Sequence, residues 1–423
     1  MKRIIFILKL YSHFATYIHK EIKGGNKMNF KDKAISIKNE LIEIRRTLHQ
    51  HPELGMEEYE TSKFIKEFLK KEGIEYLEVA KTGVCGIIRG TKEDESKKNR
   101  TIALRGDIDA LPLLDKKVCE YSSKVEGKMH ACGHDGHTTI LLGTAKLLNQ
   151  NRNLFSGNVK LLFEPAEETI GGARFMIEDG VLENPRVDCV CGLHVEETLE
   201  SGTIMVKEGV VNAASNPFTI KIKGSGGHGA YPHTTVDPVV IASHIVIALQ
   251  TIVSREINTS NPAVITVGSI HGGTAQNIIP EEVTISGVIR TMSKEDRAFA
   301  KERLAEIACG ICKSSRATCD IDIEESYPNL YNDSNMVTLF RTGAEKVLGK
   351  ENILEQKYPK MGVESFAYFA NERPSVFYFL GSGNKEKNIV HPAHSNLFDI
   401  DEKCLPLGVA MQCEIALEYL TKF

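Results

Sequence analysis

The sequence predicts an α/β protein: a mostly parallel sheet layered with helices, carrying an inserted ferredoxin-like βαββαβ domain of α+β type. Three observations predict it. At 423 residues the chain exceeds the roughly 250–300 at which one hydrophobic core stops growing. Short apolar runs alternate with stretches of helical period in the first and last parts of the chain. In the middle the order changes to strand, helix, strand, strand, helix, strand.

Ala34, Ile35, Ile37, Leu41, Ile42, Ile44 and Leu48 recur at helical spacing, and HPELG closes that helix with a Pro and a Gly. A second helix is predicted around 61–72. Strands follow at 84–88, 101–104, 158–163, 187–192 and 375–380, with helices at 138–150, 172–178 and 334–348. The middle reads as a strand at 218–223, a helix at 237–257, strands at 263–270 and 282–290, a helix at 294–315 and a strand at 319–325. Asp237 caps its helix and Pro238 takes the first helical position. The inserted domain is therefore placed at about 213–325, between the two parts of the larger domain, 28–212 and 326–423. TKEDESKKNR at 91–100 reads as a solvated loop.

Residues 1–27 stand apart. MKRIIFILKL starts like a signal peptide, but Lys9 ends the apolar run Ile4 to Leu8, short of the roughly 7–15 residues a signal core needs, and no A-x-A-like site follows. With Met28 after GGNK, the segment reads as a disordered extension or a start placed upstream of the true one; a weak membrane contact is the lesser reading. No other stretch approaches the roughly 20 apolar residues of a transmembrane helix.

Hydrophobic residues make up 42% and charged residues 26%, with a net charge of -4 and a pI near 6.4. That balance argues against a nucleic-acid or membrane-surface partner. Ten cysteines are scattered, several inside apolar runs, which suits a reduced, cytoplasmic protein. Cys309 and Cys312, with Cys319 beyond, resemble a zinc knuckle but lack a second paired half, so they read as buried helix cysteines.

Ligands in open α/β sheets bind beyond the carboxyl ends of the strands, and the polar constellations fall there. RGDID brings Asp107 and Asp109, EPAEE brings Glu167 and Glu168, and an apolar strand leads to His194. HACGHDGH at 130–137 precedes the helix expected from Thr138, and HPAHSNLFDIDE carries His391 and His394. Each feature alone has a bland reading: an EE pair is usually solvated, and a histidine after an apolar strand is usually core. Their conjunction points to metal. Cys, His and carboxylate together suit zinc or manganese rather than calcium or magnesium, and the count suits two ions, which can serve a hydroxide and a carbonyl oxygen together. Glu167 and Glu168 can then divide ligand and base roles if the backbone near Pro165 is irregular.

RGDIDALP, MHACGHDGH, FEPAEE, GLHV, GGHGAYPH, GGTAQNIIP and HSNLFDIDE fall in the order of a known family. Over roughly residues 34–420 the chain resembles the dinuclear metallopeptidases of the aminoacylase and glutamate carboxypeptidase superfamily. It is most similar to the amidohydrolase branch that contains hippurate hydrolase, auxin-conjugate hydrolases and N-acetyl-diaminopimelate deacetylase. The resemblance implies a metallohydrolase that cleaves N-acyl amino acids, with a dipeptidase or aminopeptidase activity as its rival. It implies two divalent ions, Zn or Mn with Co or Ni as substitutes, held by Cys132, His134, Glu168, His194 and His394. Glu167 matches the general base, Asp109 the carboxylate that orients the ligands, and His228 the histidine that stabilises the oxyanion. Asn277 and Arg290 match residues that hold the substrate carboxylate, and Glu364 a substrate contact. The inserted domain matches a lid that also serves dimers; a homodimer or homotetramer, with His228 acting across it, stays open. Asp107 stands where the peptidase branches have a metal-binding histidine. Two departures affect specificity: Ser365 replaces an Asp common in the family, and Asn396 a common proline.

Overall fold

The computed structural model describes residues 29–94, 96 and 100–422. The extension read at 1–27, and residues 95 and 97–99 of the loop at 91–100, lie outside the described residues. The chain begins with α1 (Phe30–Ser36) and α2 (Lys38–Gln50), divided at Ile37 where one helix is predicted. Ser36 turns its hydroxyl back onto the Lys33 carbonyl at 2.6 Å, a local bond that competes with the helical ladder. Helix α3 (Tyr59–Lys71) follows.

Strands β1 (Glu75–Val79), β2 (Gly83–Arg89), β3 (Thr101–Asp107), β4 (Asn158–Glu164), β5 (Cys189–Glu200) and β6 (Ile204–Val206) then enter the large sheet, with α4 (His134–Gln150) and α5 (Gly172–Glu178) between them. Strand β7 (Gly209–Asn212) leads into the insert: β8 (Ala214–Lys223), β9 (Gly227–His228), α6 (Pro238–Thr251), β10 (Ala263–Gly272), β11 (Ile278–Ile279), β12 (Glu282–Thr291), α7 (Lys294–Ser314) and β13 (Thr318–Ile323). The return brings β14 (Leu330–Asn332), α8 (Ser334–Leu348), β15 (Ile353–Glu355), α9 (Phe366–Glu372), β16 (Ser375–Gly383) and α10 (Cys404–Lys422).

The large sheet runs β1-β2-β4-β3-β5-β16-β6-β15. Its centre, β4-β3-β5-β16, is parallel, and every residue of β3, β4 and β16 is buried. Strands covered on both faces read as unbroken apolar runs, which is why the sequence shows them. One face packs Leu104, Leu161, Leu141 and Val409 beneath α2, α4 and α10; the other packs Leu162, Met176, Phe366 and Phe377 beneath α5 and α9. Strand β1, which the sequence does not show, is an edge exposing Glu75 and Glu78; charge on an edge strand hides it from a periodicity search.

The insert's own sheet runs β10-β12-β8-β13, all antiparallel. Ile220, Ile222, Ile285, Ile241, Ile245 and Leu304 form a third core between this sheet and helices α6 and α7. A two-stranded ribbon, β9 with β11, projects beyond it. Two expectations need correction here. Pro238–Glu256 is long and apolar enough, by length and composition alone, to pass for a membrane span. The sequence reading found no such segment because Ser243, His244 and Gln250 interrupt it. Its buried face carries Ile241, Ile245 and Leu249, while Val239, Val240 and Ile247 are exposed. Cys309 is exposed rather than buried, because it lies one residue off the core-facing row Leu304, Ala308, Cys312.

Candidate metal centre

Five chain segments converge at the carboxyl ends of the parallel strands. Strand β3 ends at Asp107, and Asp109 follows two residues on; β4 ends at Glu164, one residue before the Pro165–Glu168 turn; β5 carries His194; and the loop between β16 and α10 carries His394. Helix α4 starts at His134, four residues earlier than predicted, so His134, Asp135 and His137 lie in its first turn. The early start comes from Gly133, whose φ of 89° is left-handed. A Cβ there would meet Val195 Cγ2 at 2.3 Å, so only glycine lets Cys132 and His134 turn to the same side.

Cys132 Sγ lies 3.3 Å from His194 Nε2, and His194 Nδ1 donates to the Val195 carbonyl at 2.6 Å. His134 turns Nδ1 to Asp109, 3.1 Å from Oδ1. Its Nε2 is buried with no hydrogen-bond partner, 3.8 Å from Glu168 Oε1. Glu168 Oε1 is 3.1 Å from His394 Nε2, and the Glu168 N–H donates to Asp109 Oδ2 at 3.0 Å. Cys132, His134 and His194 form one set of donor atoms within 4.8 Å of one another, and Cys132, Glu168 and His394 a second that shares the thiol. A buried imidazole nitrogen without a partner is costly, and a cation among these donors relieves it. The donor set fits two divalent ions.

A third set, Asp107, His134 and His137, does not fit. The Val195 N–H donates to His137 Nε2 at 2.9 Å, which places the proton on Nδ1, 2.6 Å from Asp107 Oδ1. Both ring nitrogens of His137 are occupied. Asp107 is also paired with the fully buried Arg105 at 2.6 Å. Arg105 further holds Glu164 at 2.6 Å and Glu364 at 2.9 Å. Glu364 thus lines the cleft and is ion-paired to Arg105, with its Oε1 also facing the Phe366 N–H.

Glu167 and Glu168 both turn into the cleft because Ala166 has a φ of 51°. Glu58 holds that turn: it accepts from the Ala166 N–H at 2.8 Å and from Thr82 Oγ1 at 2.7 Å. Burial pushes the Glu58 carboxyl up to about 7. One oxygen of Glu167 accepts from the Ser365 N–H at 2.9 Å, and Tyr327 donates its hydroxyl to the Glu167 carbonyl at 2.6 Å. Burial, then the charges of Glu364 and Glu168, push the Glu167 carboxyl well up. Burial also opposes the ionisation of Glu168, but the His394 hydrogen bond and the His134 charge outweigh it and hold that carboxyl at about 2. Two adjacent carboxyls thus have opposite proton affinities. Glu58, Arg105 and Tyr327 were missed by sequence reasoning. Nothing in MEEYE marks its second Glu, and a buried Arg at a strand end has no periodicity.

A cavity of about 380 Å3 opens over this cluster, with Cys132, Glu167, Glu168, His194 and His394 along one side and Lys360, Phe379 and Tyr327 among the rest. A larger one, about 540 Å3, lies between α2 and α3, away from every set of metal-type donors found among the described residues.

The insert's candidates are elsewhere. His228 and Asn277 lie together on the exposed ribbon, where His228 pairs with Ile278 and the Gly229 N–H donates to the Asn277 carbonyl. Arg290 is at the other end of the sheet, opposite Ser215, whose N–H donates to the Tyr327 carbonyl. Arg290 Nη1 is buried and unpartnered.

Residues 103–418 match the model of peptidase family M20/M25/M40. The chain is 38% identical to thermostable carboxypeptidase 1 of Saccharolobus solfataricus over 397 residues, 93% of this chain and 98% of that one. It is 41% identical to the N-acetyl-L-cysteine deacetylase of Bacillus subtilis over 371 residues, 88% of this chain and 86% of that one. The crystal structure of Bacillus subtilis YXEP, described as a dinuclear metal binding peptidase, superposes with a TM-score of 0.78 at 34% identity, covering 92% of this chain and 99% of that one.

Proposed function

The chain belongs to peptidase family M20/M25/M40, and from that premise we propose that it is a metal-dependent amidohydrolase of N-acyl amino acids, releasing a carboxylic acid and a free amino acid. The observation that carries this reading is the pair Glu167 and Glu168: one carboxylate grouped with Cys132 and His394 as a metal-type donor, its neighbour lining the same cleft and fixed by the Ser365 N–H. A pure binding site has no use for the second.

Cys132, His134, Glu168, His194 and His394 would hold two divalent ions. The thiolate favours zinc, while the remaining ligands accept manganese, cobalt or nickel. Bound there, the ions would acidify water and polarise the amide carbonyl. Glu167 takes the proton of the attacking water and returns it to the leaving amine. The Ser365 N–H fixes the Glu167 carboxylate, and Asp109 fixes the His134 tautomer. Arg290, Asn277 and His228 are assigned to the substrate's carboxylate and the oxyanion.

Register along β8 and β12 bears on that last assignment. From Arg290↔Ser215 to Glu282↔Lys223 is eight steps at about 3.3 Å, or roughly 26 Å. His228 and Asn277 lie beyond the far end, while Arg290 lies opposite Ser215, whose N–H donates to the Tyr327 carbonyl. The separation supports delivery of His228 and Asn277 by a second copy of the chain, in a homodimer or larger assembly. Scattered cysteines support a cytoplasmic setting. The test is release of amino acid from N-acetyl, N-benzoyl and indole-acetyl amino acids by stripped protein reconstituted with each metal. Cleavage confined to free-amine dipeptides would instead favour the exopeptidase reading.

A further inference from the structure

Among the described residues, Cys309 and Cys319 bring two thiols into contact on the insert, outside the cleft: Cys309 Sγ lies 3.7 Å from Cys319 Sγ. Cys309 is exposed near the end of α7, Cys319 is half-buried at the start of the edge strand β13, and Cys312, one turn beyond Cys309, also reaches Cys319 but is buried away from an external oxidant. The turn between the elements is tight, with the Ala317 N–H donating to the Cys312 carbonyl at 2.8 Å, so helix and strand converge where the thiols meet. Closing a 3.7 Å contact to an S–S bond of about 2.05 Å is within the reach of side-chain rotation. The other cysteines differ. Cys85, Cys132, Cys189, Cys191, Cys404 and Cys413 are buried, and the exposed Cys119 faces Ser122.

We propose that Cys309 and Cys319 are a reversible thiol–disulfide pair whose oxidant is a low-molecular-weight disulfide. The Cys309 thiolate attacks one sulfur of the small disulfide, forming a mixed disulfide and releasing one small thiol. Cys319 then attacks the Cys309 sulfur, forming the internal bond and expelling the second small thiol. The two protein thiols lose two protons and two electrons, and one external disulfide becomes two thiols. Exposure makes Cys309 the point of entry. Burial and then the neighbouring Cys309 push the Cys319 thiol up, which makes Cys319 the slower attacker and leaves first attack to Cys309. The closed bond ties the last turns of α7 to the edge of the insert's sheet.

The test uses the full-length, metal-loaded protein. It is incubated with oxidised glutathione, alkylated, digested without reduction and mapped by mass spectrometry. The expected product is a peptide pair joined through Cys309 and Cys319, with both halves of the oxidant released and the bond reopened by reduced glutathione. Cys309→Ser and Cys319→Ser should each abolish that pair, and Cys312→Ser should leave it. A stable glutathione adduct on Cys309 in the unmutated chain would overturn the proposal. So would full alkylation of both thiols, or a pair that forms only in denaturant.

Discussion

The two ends of the insert's sheet teach different lessons about how a site is built. At one end, called the hinge end because it meets the large sheet, the cleft residues are tied by neighbours in their own chain, with His134 Nε2 and Arg290 Nη1 left unpartnered. His134 is held by Asp109, Glu167 by Ser365, and Asp107 by Arg105 and His137. At the distal end His228 and Asn277 are exposed on a two-stranded ribbon whose contacts are mostly its own. Buried polar groups must be satisfied locally, so the hinge end is organised by its own chain. The distal end has no such constraint, and its exposure is what the proposed delivery of His228 by a second copy needs.

Removal of the metal should break the comparison most completely. Dialysis against a chelator is expected to reduce amide hydrolysis to background, and stoichiometric zinc or manganese to restore it, as measured by amino-acid release. Next comes Glu167→Gln, which keeps the shape and the Ser365 contact but not the base. A loss of roughly 10²–10⁴-fold in kcat is expected, with metal content by atomic emission unchanged. Near-normal activity would remove Glu167 from the mechanism.

A mixture of chains sharpens the contrast. His228→Ala alone should lower kcat by roughly 10²-fold or more, as loss of an oxyanion donor does. If His228 serves the other copy, equal mixing with Glu167→Gln chains gives half heterodimers, each with one intact site, and recovery of roughly a quarter of the unmutated rate. If His228 serves its own chain, mixing recovers nothing.

Glu58 tests the hinge end through stability. Glu58→Ala strands the buried Ala166 N–H and Thr82 hydroxyl and should cost about 1–3 kcal/mol in denaturant titrations. Glu58→Gln keeps both bonds, since its amide accepts from Ala166 and donates to Thr82. It also removes a buried ionisable group. Because the folded state holds the Glu58 proton up to about pH 7, against about 4.3 in an unfolded chain, the unmutated protein is favoured at low pH. It should lose stability relative to Glu58→Gln as pH rises between those values. A flat difference over that window would show that Glu58 is not buried as described.

The same contrast governs what the sequence made legible. The central strands are unbroken apolar runs and were readable; the charged edge β1 was not. Cys132, His134, Glu168, His194 and His394 stand in motifs at strand ends, and the structure brings them together. Arg105, Glu58 and Tyr327 hold those residues from the side, through contacts set only when distant segments pack. Periodicity carries no trace of that. Cys309 was misread for a related reason: a spacing of three shows that two cysteines share a helix side, but not where the core's edge falls across it.

Position 365 gives the finest test. The Ser365 hydroxyl is bonded to Glu164 Oε1, which also accepts from the Ala173 N–H at 2.7 Å, while Arg105 holds Oε2 at 2.6 Å. Ser365→Ala thus removes one of several donors and leaves the backbone N–H on Glu167 untouched. It should cost about 1 kcal/mol of stability and change kcat by no more than a few-fold. Ser365→Asp, the residue common in the family, should cost more in this chain. It replaces a donor with an acceptor beside Glu164, Glu167 and Glu364, with Arg105 the cation paired among them. Burial already pushes the Glu164 carboxyl up to about 6. If Asp is tolerated as well as Ala, a proton on Glu164 supplies the missing donor. The cost should then grow as pH rises above that value, and denaturant midpoints at pH 5 and pH 8 would show it.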